Sequence, residues 1–336
     1  ARFMPPAQLQ KVMTGAYGED WESHFYGFEM KPLAAASIGQ VHRAISPDGR
    51  KIALKVQYPG VAASIDSDVD NIASLLRLSG LLPADLDIQP LLDDAKHQLH
   101  DEADYHKEAK FLRAFGEVLA DDDRFLVPEV LPDLTRRTVL AMTYVSGQPI
   151  EHISELPQSE RDRVMSALVE LLFIELFELQ MVQTDPNFAN YQYHGKTGQI
   201  VLLDFGATRR FRKGFANNYR KLVAAAIAED YDRMVVVAER LGYAVGDANT
   251  EFRALVLELF LIALEPLMED EPYDFGSSDM AQRMSELAER AFDFRDFWEA
   301  PPTDAVYFHR KLGGMFMLAT RLEARVNVHA LIQRWL

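Results

Sequence analysis

Residues 181–209 read MVQTDPNFANYQYHGKTGQIVLLDFGATR, and the fold turns on how this stretch is read. Asp185 is followed five positions on by Asn190, then by two short strand-like runs, Asn190–Tyr193 and Ile200–Leu203, and then by Asp204-Phe-Gly. One carboxylate able to accept a hydroxyl proton, with an amide and a second carboxylate offering oxygens to Mg²⁺, is a set suited to phosphoryl transfer. Singly these signals are weak, because Asp and Asn are ordinary loop residues. Asp-Phe-Gly even occurs twice. The second copy, at 274–276 in EPYDFGSS, follows a proline turn, has no D-x-x-x-x-N ahead of it, and reads as a loop.

Working outward, residues 31–60 contain KPLAAASIGQVHRA and KIALKVQYPG, separated by the turn Ser46-Pro-Asp-Gly-Arg50. This predicts a hairpin whose returning strand is Lys51–Gln57, with Lys55 alternating with Leu54 and Val56. A lone lysine on a strand is ordinarily a solvated edge residue. Ahead of it, Ala34, Ala35, Ala36 and Ser37 stand where a phosphate-covering turn would normally carry glycines. A predicted helix over 90–118 carries Glu102, Asp104 and Glu108 as candidate partners for Lys55. Asp104 and Glu108 would share a helical face at i, i+4, with Glu102 about 120° away from Glu108. Glu108 is therefore expected on Lys55, while Glu102 or Asp104 faces an N-terminal element expected ahead of Ala1 or competes for the lysine.

The rest of the 336-residue chain fits an α+β molecule that is β-rich first and helix-rich second. A helix and turn over 1–24 precede the hairpin, and helices are predicted over 61–80 and 90–118 around Leu82-Pro-Ala-Asp. Strand-like runs follow at Phe125–Val130 and Thr138–Tyr144. Beyond a Ser-Gly-Gln-Pro break at 146–149, helices are expected over 158–181, 214–242, 250–269 and 279–299. The expected boundary separates an N-terminal lobe, 1–145, from a helical C-terminal lobe, 146–336. His97, His100, Asp101 and Asp104 fall on one helical face, which reads as solvated rather than metal-binding. Met142, Met181, Met315 and Met317 read as core filler.

With 48% hydrophobic and 26% charged residues the chain can bury a sizeable core. Its net charge of −16 argues against nucleic-acid binding, which depends on neutralising phosphates with lysine and arginine. There is no cysteine, hence no disulfide, zinc-cysteine site or thiol nucleophile. No apolar run approaches the ~18 residues that span a bilayer. The chain starts Ala1-Arg2-Phe3 without a signal peptide, and we read the start as trimmed.

Together, the Ala-rich segment, IALKVQYPGV, the run Glu102–Glu108, MVQTDPNFANY and VLLDFGATR resemble the UbiB/ADCK (AarF-type) atypical kinase-like family. The likeness is to its coenzyme-Q-biosynthesis branch and covers nearly the whole chain. It implies a bilobal protein-kinase-like fold that binds ATP or ADP with Mg²⁺. On that resemblance Ala34–Ser37 form the loop replacing the kinase Gly-rich loop, and Lys55 and Glu108 the nucleotide-binding lysine and its glutamate. Glu102 and Asp104 form the E-x-D motif, Asp185 is the catalytic aspartate, and Asn190 and Asp204 are the metal ligands. Gln183-Thr184 stands where ordinary protein kinases carry His-Arg, and no Ala-Pro-Glu follows Asp204, so a protein substrate is disfavoured. The family's K-x-G-Q motif is expected upstream of Ala1. Its literal occurrence here, Lys196-Thr-Gly-Gln199, falls in a turn between Asn190 and Asp204.

The resemblance implies Mg-dependent ATP binding and hydrolysis in support of ubiquinone biosynthesis. It further implies partners among ubiquinone-biosynthesis proteins or isoprenoid precursors, and peripheral membrane contact. The place would be the cytoplasmic face of a bacterial inner membrane or the matrix side in mitochondria. Two rival readings are a kinase acting on a lipid or isoprenoid hydroxyl, and a nucleotide-gated scaffold whose turnover is incidental.

Overall fold

A computed structural model describes residues 3–79, 87–243, 250–292 and 302–336. The Leu82-Pro-Ala-Asp turn and the stretch 293–299 of the last expected helix lie outside the described residues. The chain divides into two compact units: residues 1–74, 92–150 and 189–208, and residues 75–91, 151–188 and 209–336. The segment 189–208, which the sequence reading grouped with the helical half, belongs to the first unit.

In the first unit, α1 (Pro6–Tyr17) leads into β1 (Gly27–Phe28), β2 (Ala34–Ala35), β3 (Gly39–Ile45) and β4 (Lys51–Gln57). The β3–β4 turn closes as its sequence predicts: Gly49 has φ 85°, and the Ser46 N–H donates to Arg50 O at 2.9 Å. Next come α2 (Val61–Leu78) and α3 (Gln89–Glu102), whose residues 75–78 and 89–91 fall in the second unit, then α4 (Tyr105–Val118), β5 (Phe125–Leu126), β6 (Val139–Thr143) and β7 (Gln148–Pro149). One antiparallel sheet runs β1-β3-β4-β6 with β2 on β3. After β8 (Met181–Gln183) of the second unit, β9 (Tyr191–His194) and β10 (Gln199–Leu202) form the expected hairpin, in a sheet ordered β5-β10-β9-β7. Lys196-Thr-Gly is its turn, with Gly198 at φ 75°.

The period-2 alternation of β4 sorts its side chains. Ile52, Leu54 and Val56 enter a core with Leu9 and Met13 of α1, Trp21, Val139 and Ala141, each Ile, Leu, Val or Met side chain contributing about 2 kcal/mol on burial. The opposite face of the sheet meets α4, where Leu140 packs with Tyr105 and Ala109. The expected continuous helix over 90–118 is broken there. Asp104 adopts an extended backbone, φ −109° and ψ 94°, and its side chain accepts from the His106 N–H, capping α4.

In the second unit, α5 (Gln158–Phe173) continues as a π-helical segment, Ile174–Leu179, and reverses at Gln180, φ 52°. β11 (Thr208–Arg210) precedes α6 (Lys213–Ile227) and α7 (Tyr231–Leu241). The expected helix over 214–242 is thus two helices: Glu229 has φ 54°, and the Asp230 side chain caps α7 by accepting from the Arg233 N–H. There follow α8 (Thr250–Leu264), β12 (Tyr273–Asp274), α9 (Met280–Phe292), α10 (Thr303–Arg321), β13 (Arg325–Val326) and α11 (Val328–Ile332). The second Asp-Phe-Gly begins inside β12, which pairs with β13, and turns immediately after it. Among the described residues no helix is long and apolar enough to cross a membrane.

Candidate functional site

Lys55 lies in the middle of β4 on the face toward α4, and is 4% exposed. Its Nζ donates to Glu108 Oε1 and Oε2 at 2.9 and 3.1 Å and to Asp204 Oδ2 at 2.8 Å. It also lies 5.4 Å from the centroid of the Tyr105 ring. Of the three helix carboxylates, Glu108 is the one on the lysine. Glu102 ends α3, and Asp104 is spent on the cap of α4. The helical-face argument relating Asp104 to Glu108 fails because the chain is not helical at Asp104. His100 pairs with Asp66 at 3.0 Å, and Asp101 pairs with Lys107, as on a solvated face.

α4 also holds the Asp-Phe-Gly turn. The Phe205 N–H faces Glu108 Oε1 at 3.4 Å, and the Phe205 ring lies 4.7 Å from that of Phe115. Asp204 Oδ1 accepts from the Gly206 N–H at 2.9 Å. A Cβ at Gly206 would lie 3.2 Å from Asp204 Oδ1 and 3.3 Å from Glu108 Oε2, so this glycine leaves room for both carboxylates. Asp274 Oδ1 makes the same turn bond to the Gly276 N–H at 3.0 Å, but its carboxylate faces Arg325 at 3.4 Å. The three letters encode a turn; Lys55 and Glu108 give the first copy its chemistry.

The electrostatics follow from burial. Burial opposes the Lys55 charge, but Asp204 and Glu108 outweigh it and hold its pKa well above that of ordinary lysine. Burial pushes Glu108 up to about 7, against the pull of Lys55, and the neighbouring Asp204 charge adds to the rise. Burial would also raise Asp204, yet its bond to Lys55 prevails and holds it below the usual carboxylate range.

The alanine segment is not one turn. Ala34 and Ala35 pair with Val41 and Gln40 as a strand, and the turn closes after them through the Ala36 N–H donating to Gly39 O at 2.9 Å. The register Ala34↔Val41↔Lys55 puts Ala34 on the Lys55 face, two strand spacings or about 10 Å away. Ala34, Ala35 and Ser37 are exposed. Gly39 is the obligatory glycine: a Cβ there would overlap the Val56 carbonyl and lie 3.0 Å from the Tyr105 hydroxyl.

Asn190 is buried, and its carbonyl accepts from the Leu203 N–H at 3.0 Å, so Asn190 and Asp204 leave neighbouring points of the β9–β10 hairpin. Both offer hard oxygen donors. That donor set fits Mg²⁺, which takes few protein ligands and completes its shell with phosphate and water.

In the second unit, Asp185 Oδ1 accepts from Arg310 Nη2 at 3.1 Å. The next residue of α10, Lys311, is buried and donates to Gln183 Oε1 at 3.3 Å, with Glu175 Oε2 at 3.8 Å. Burial pushes Glu175 up to about 7, against the pull of Lys311. A cavity of about 430 Å³ lies between Pro186, Asn187 and Phe188 and the α10 residues His309, Arg310, Gly313, Gly314 and Met317. Met317, expected as core filler, is instead exposed at its edge, whereas Met142, Met181 and Met315 are buried. Tyr105, Arg310 and Lys311 were not singled out from sequence. Only Tyr105 carried a signal, three residues before Glu108 on the same helix.

The model of the ABC1 atypical kinase-like domain matches residues 1–238. The chain is 37% identical over 331 residues to "Atypical kinase coq-8, mitochondrial" of Caenorhabditis elegans, covering 97% of this chain and 44% of the relative. It is 38% identical to "Atypical kinase COQ8B, mitochondrial" of Rattus norvegicus, covering 99% and 63%. With "Atypical kinase COQ8, mitochondrial" of Saccharomyces cerevisiae the identity is 35%, covering 97% and 65%. The chain thus spans about half to two thirds of the length of these curated relatives. Among solved structures, the complex of Rv3197 with erythromycin from Mycobacterium tuberculosis aligns with a TM-score of 0.75 at 24% identity, covering 98% of this chain and 83% of that one. That likeness shows the fold.

Proposed function

This chain belongs to the ABC1 atypical kinase-like family, and from that premise we propose that it is an Mg-dependent ATP-binding ATPase supporting ubiquinone biosynthesis. The observation that carries the reading is the buried Lys55, held between Glu108 and Asp204 on the face that also bears Ala34. Lys55 takes the α/β-phosphates, and Glu108 keeps its ammonium on station. Asn190 and Asp204 would hold Mg²⁺, which would supply positive charge against the phosphate oxygens. Asp185 orients the attacking water and accepts its proton as the oxygen bonds to the γ-phosphorus and the bond to the ADP oxygen breaks. The curated relatives are named as mitochondrial, and a mitochondrial or bacterial membrane face is the corresponding place for this chain. Peripheral contact there would bring it to isoprenoid precursors or their enzymes. The test is nucleotide titration and phosphate release by the purified chain, with and without Mg²⁺, lipid and phenolic quinone precursors. No Mg-dependent nucleotide binding would overturn the reading.

The cavity beside Asp185 favours a second reading, transfer of the γ-phosphoryl group to the hydroxyl of a small apolar molecule. Its signature is phosphorylated product formed one for one with ADP, in place of free phosphate.

A further inference from the structure

The loop bearing Asp185 is gripped from behind by a single turn of α10. Arg310 reaches Asp185, Lys311 reaches Gln183, and Gly314 lies against Pro186. Residues 183 and 185 are spaced as same-side positions of an extended chain, and 310, 311 and 314 fall on one side of a helix. Helix and loop are therefore in register. The grip is built, not incidental. A Cβ at Gly314 would overlap Pro186 Cβ and lie 2.9 Å from Pro186 Cα and 3.3 Å from its carbonyl oxygen, where backbone cannot yield. Below it, Glu175 accepts from the backbone N–H of Gln183, so both the main chain and the side chain of that residue are held. Glu175 stands in the π-helical segment, a local irregularity often found at functional sites. A buried ion pair such as Lys311–Glu175 is poor value as a source of stability, which directs attention to what it positions.

We propose that Arg310, Lys311 and Gly314 of α10 are the positioning device of Asp185. Arg310 fixes the plane of the Asp185 carboxylate, Lys311 fixes the strand leading to it, and Gly314 lets the helix lie close enough for both. The functional half of this statement rests on the phosphoryl-transfer reading above; the structural half does not.

Two neighbouring glycines supply a matched test. Gly313→Ala and Gly314→Ala change helix propensity equally, but a Cβ at 313 meets nothing within 4 Å. In the purified chain, G314A should speed amide hydrogen exchange over residues 183–188 and lower kcat for phosphate release about a hundredfold. KM for Mg-ATP should stay within about twofold, since the loss is of positioning and not of nucleotide binding. G313A should leave exchange over residues 183–188 at the wild-type rate. Arg310→Ala, at a half-exposed position, should lower kcat without destabilising the chain, and Arg310→Lys should restore most of it. A G314A chain that exchanges and turns over like G313A overturns the proposal, as does wild-type kcat in R310A. A wild-type chain with no Mg-ATP turnover overturns the functional reading instead, and exchange at 183–188 then decides the grip alone.

Discussion

Lys55 Nζ and Asp204 Oδ2 are 2.8 Å apart, so the lysine assigned to the nucleotide already holds the carboxylate assigned to the metal. With Glu108 on its other side, one ammonium faces two carboxylates, and the site carries a net negative charge when Glu108 is ionised. On the proposed reading such a site would repel bare ATP and accept it with a divalent cation. Asp204→Asn should therefore abolish the Mg²⁺ stimulus, at a cost of about tenfold or more in Mg-ATP affinity, and should weaken discrimination against metal-free ATP. Titrating both forms at pH 8 checks this; unchanged Mg-ATP affinity would remove Asp204 from the site. Asp274→Lys, in the second Asp-Phe-Gly, should leave both affinities at wild type.

Gly39 makes the second prediction. Its missing side chain lets β3 lie against the Val56 carbonyl and the Tyr105 hydroxyl, within the register that carries Lys55. Gly39→Ala must shift backbone, an overpacking cost of about 1–3 kcal/mol. The chain should unfold at lower temperature and lose nucleotide affinity together, read by thermal melts with and without Mg-ATP. An unaltered melting temperature would refute it.

The β3–β4 hairpin was legible because its turn chemistry and its alternation agree, and β4 occupies the expected Lys51–Gln57. The break at Asp104 was not, although Asp with a glutamate in the following first turn is a cap signal. The apolar periodicity on either side runs through it and masks it. α10 went unassigned because two adjacent glycines each cost a helix about 1 kcal/mol relative to alanine. Packing of Gly314 on Pro186 explains why the sequence accepts that cost. The Arg310–Asp185 pair joins residues 125 apart, and no local pattern encodes such a contact.

A third prediction concerns pH. His309 is bonded to the Tyr219 hydroxyl and lies 3.3 Å from that of Tyr243, and burial lowers its pKa from 6.5 to about 4. Between those values the unfolded chain binds a proton that the folded chain refuses. The contribution of His309 to stability is thus full above pH 6.5, declines as pH falls, and is gone below about 4, at most roughly 3 kcal/mol in all. Denaturant midpoints measured from pH 7 to pH 4 should fall more steeply for wild type than for His309→Gln. Parallel curves would exclude it.

The last prediction concerns the alanines. A glycine-rich turn closes over phosphates with left-handed backbone angles that a Cβ disfavours. Here the turn closes through Ala36 and Gly39, and neither residue has a positive φ, so the chain makes it with ordinary L-residue geometry. Ala34 and Ala35 are exposed and fixed in a strand ladder, so core packing does not explain them. On the proposed reading they would stiffen the segment ahead of the turn and deny it the conformations that would close over a γ-phosphate. Ala36→Gly, at the junction of ladder and turn, restores those conformations at a single point. It should change the affinity ratio of ATP to ADP by about fivefold, which is about 1 kcal/mol, the scale of one Cβ restriction. It should also raise autophosphorylation above wild type. Titrating both nucleotides against the two proteins decides the matter: an unchanged ratio leaves the alanines as a strand and nothing more.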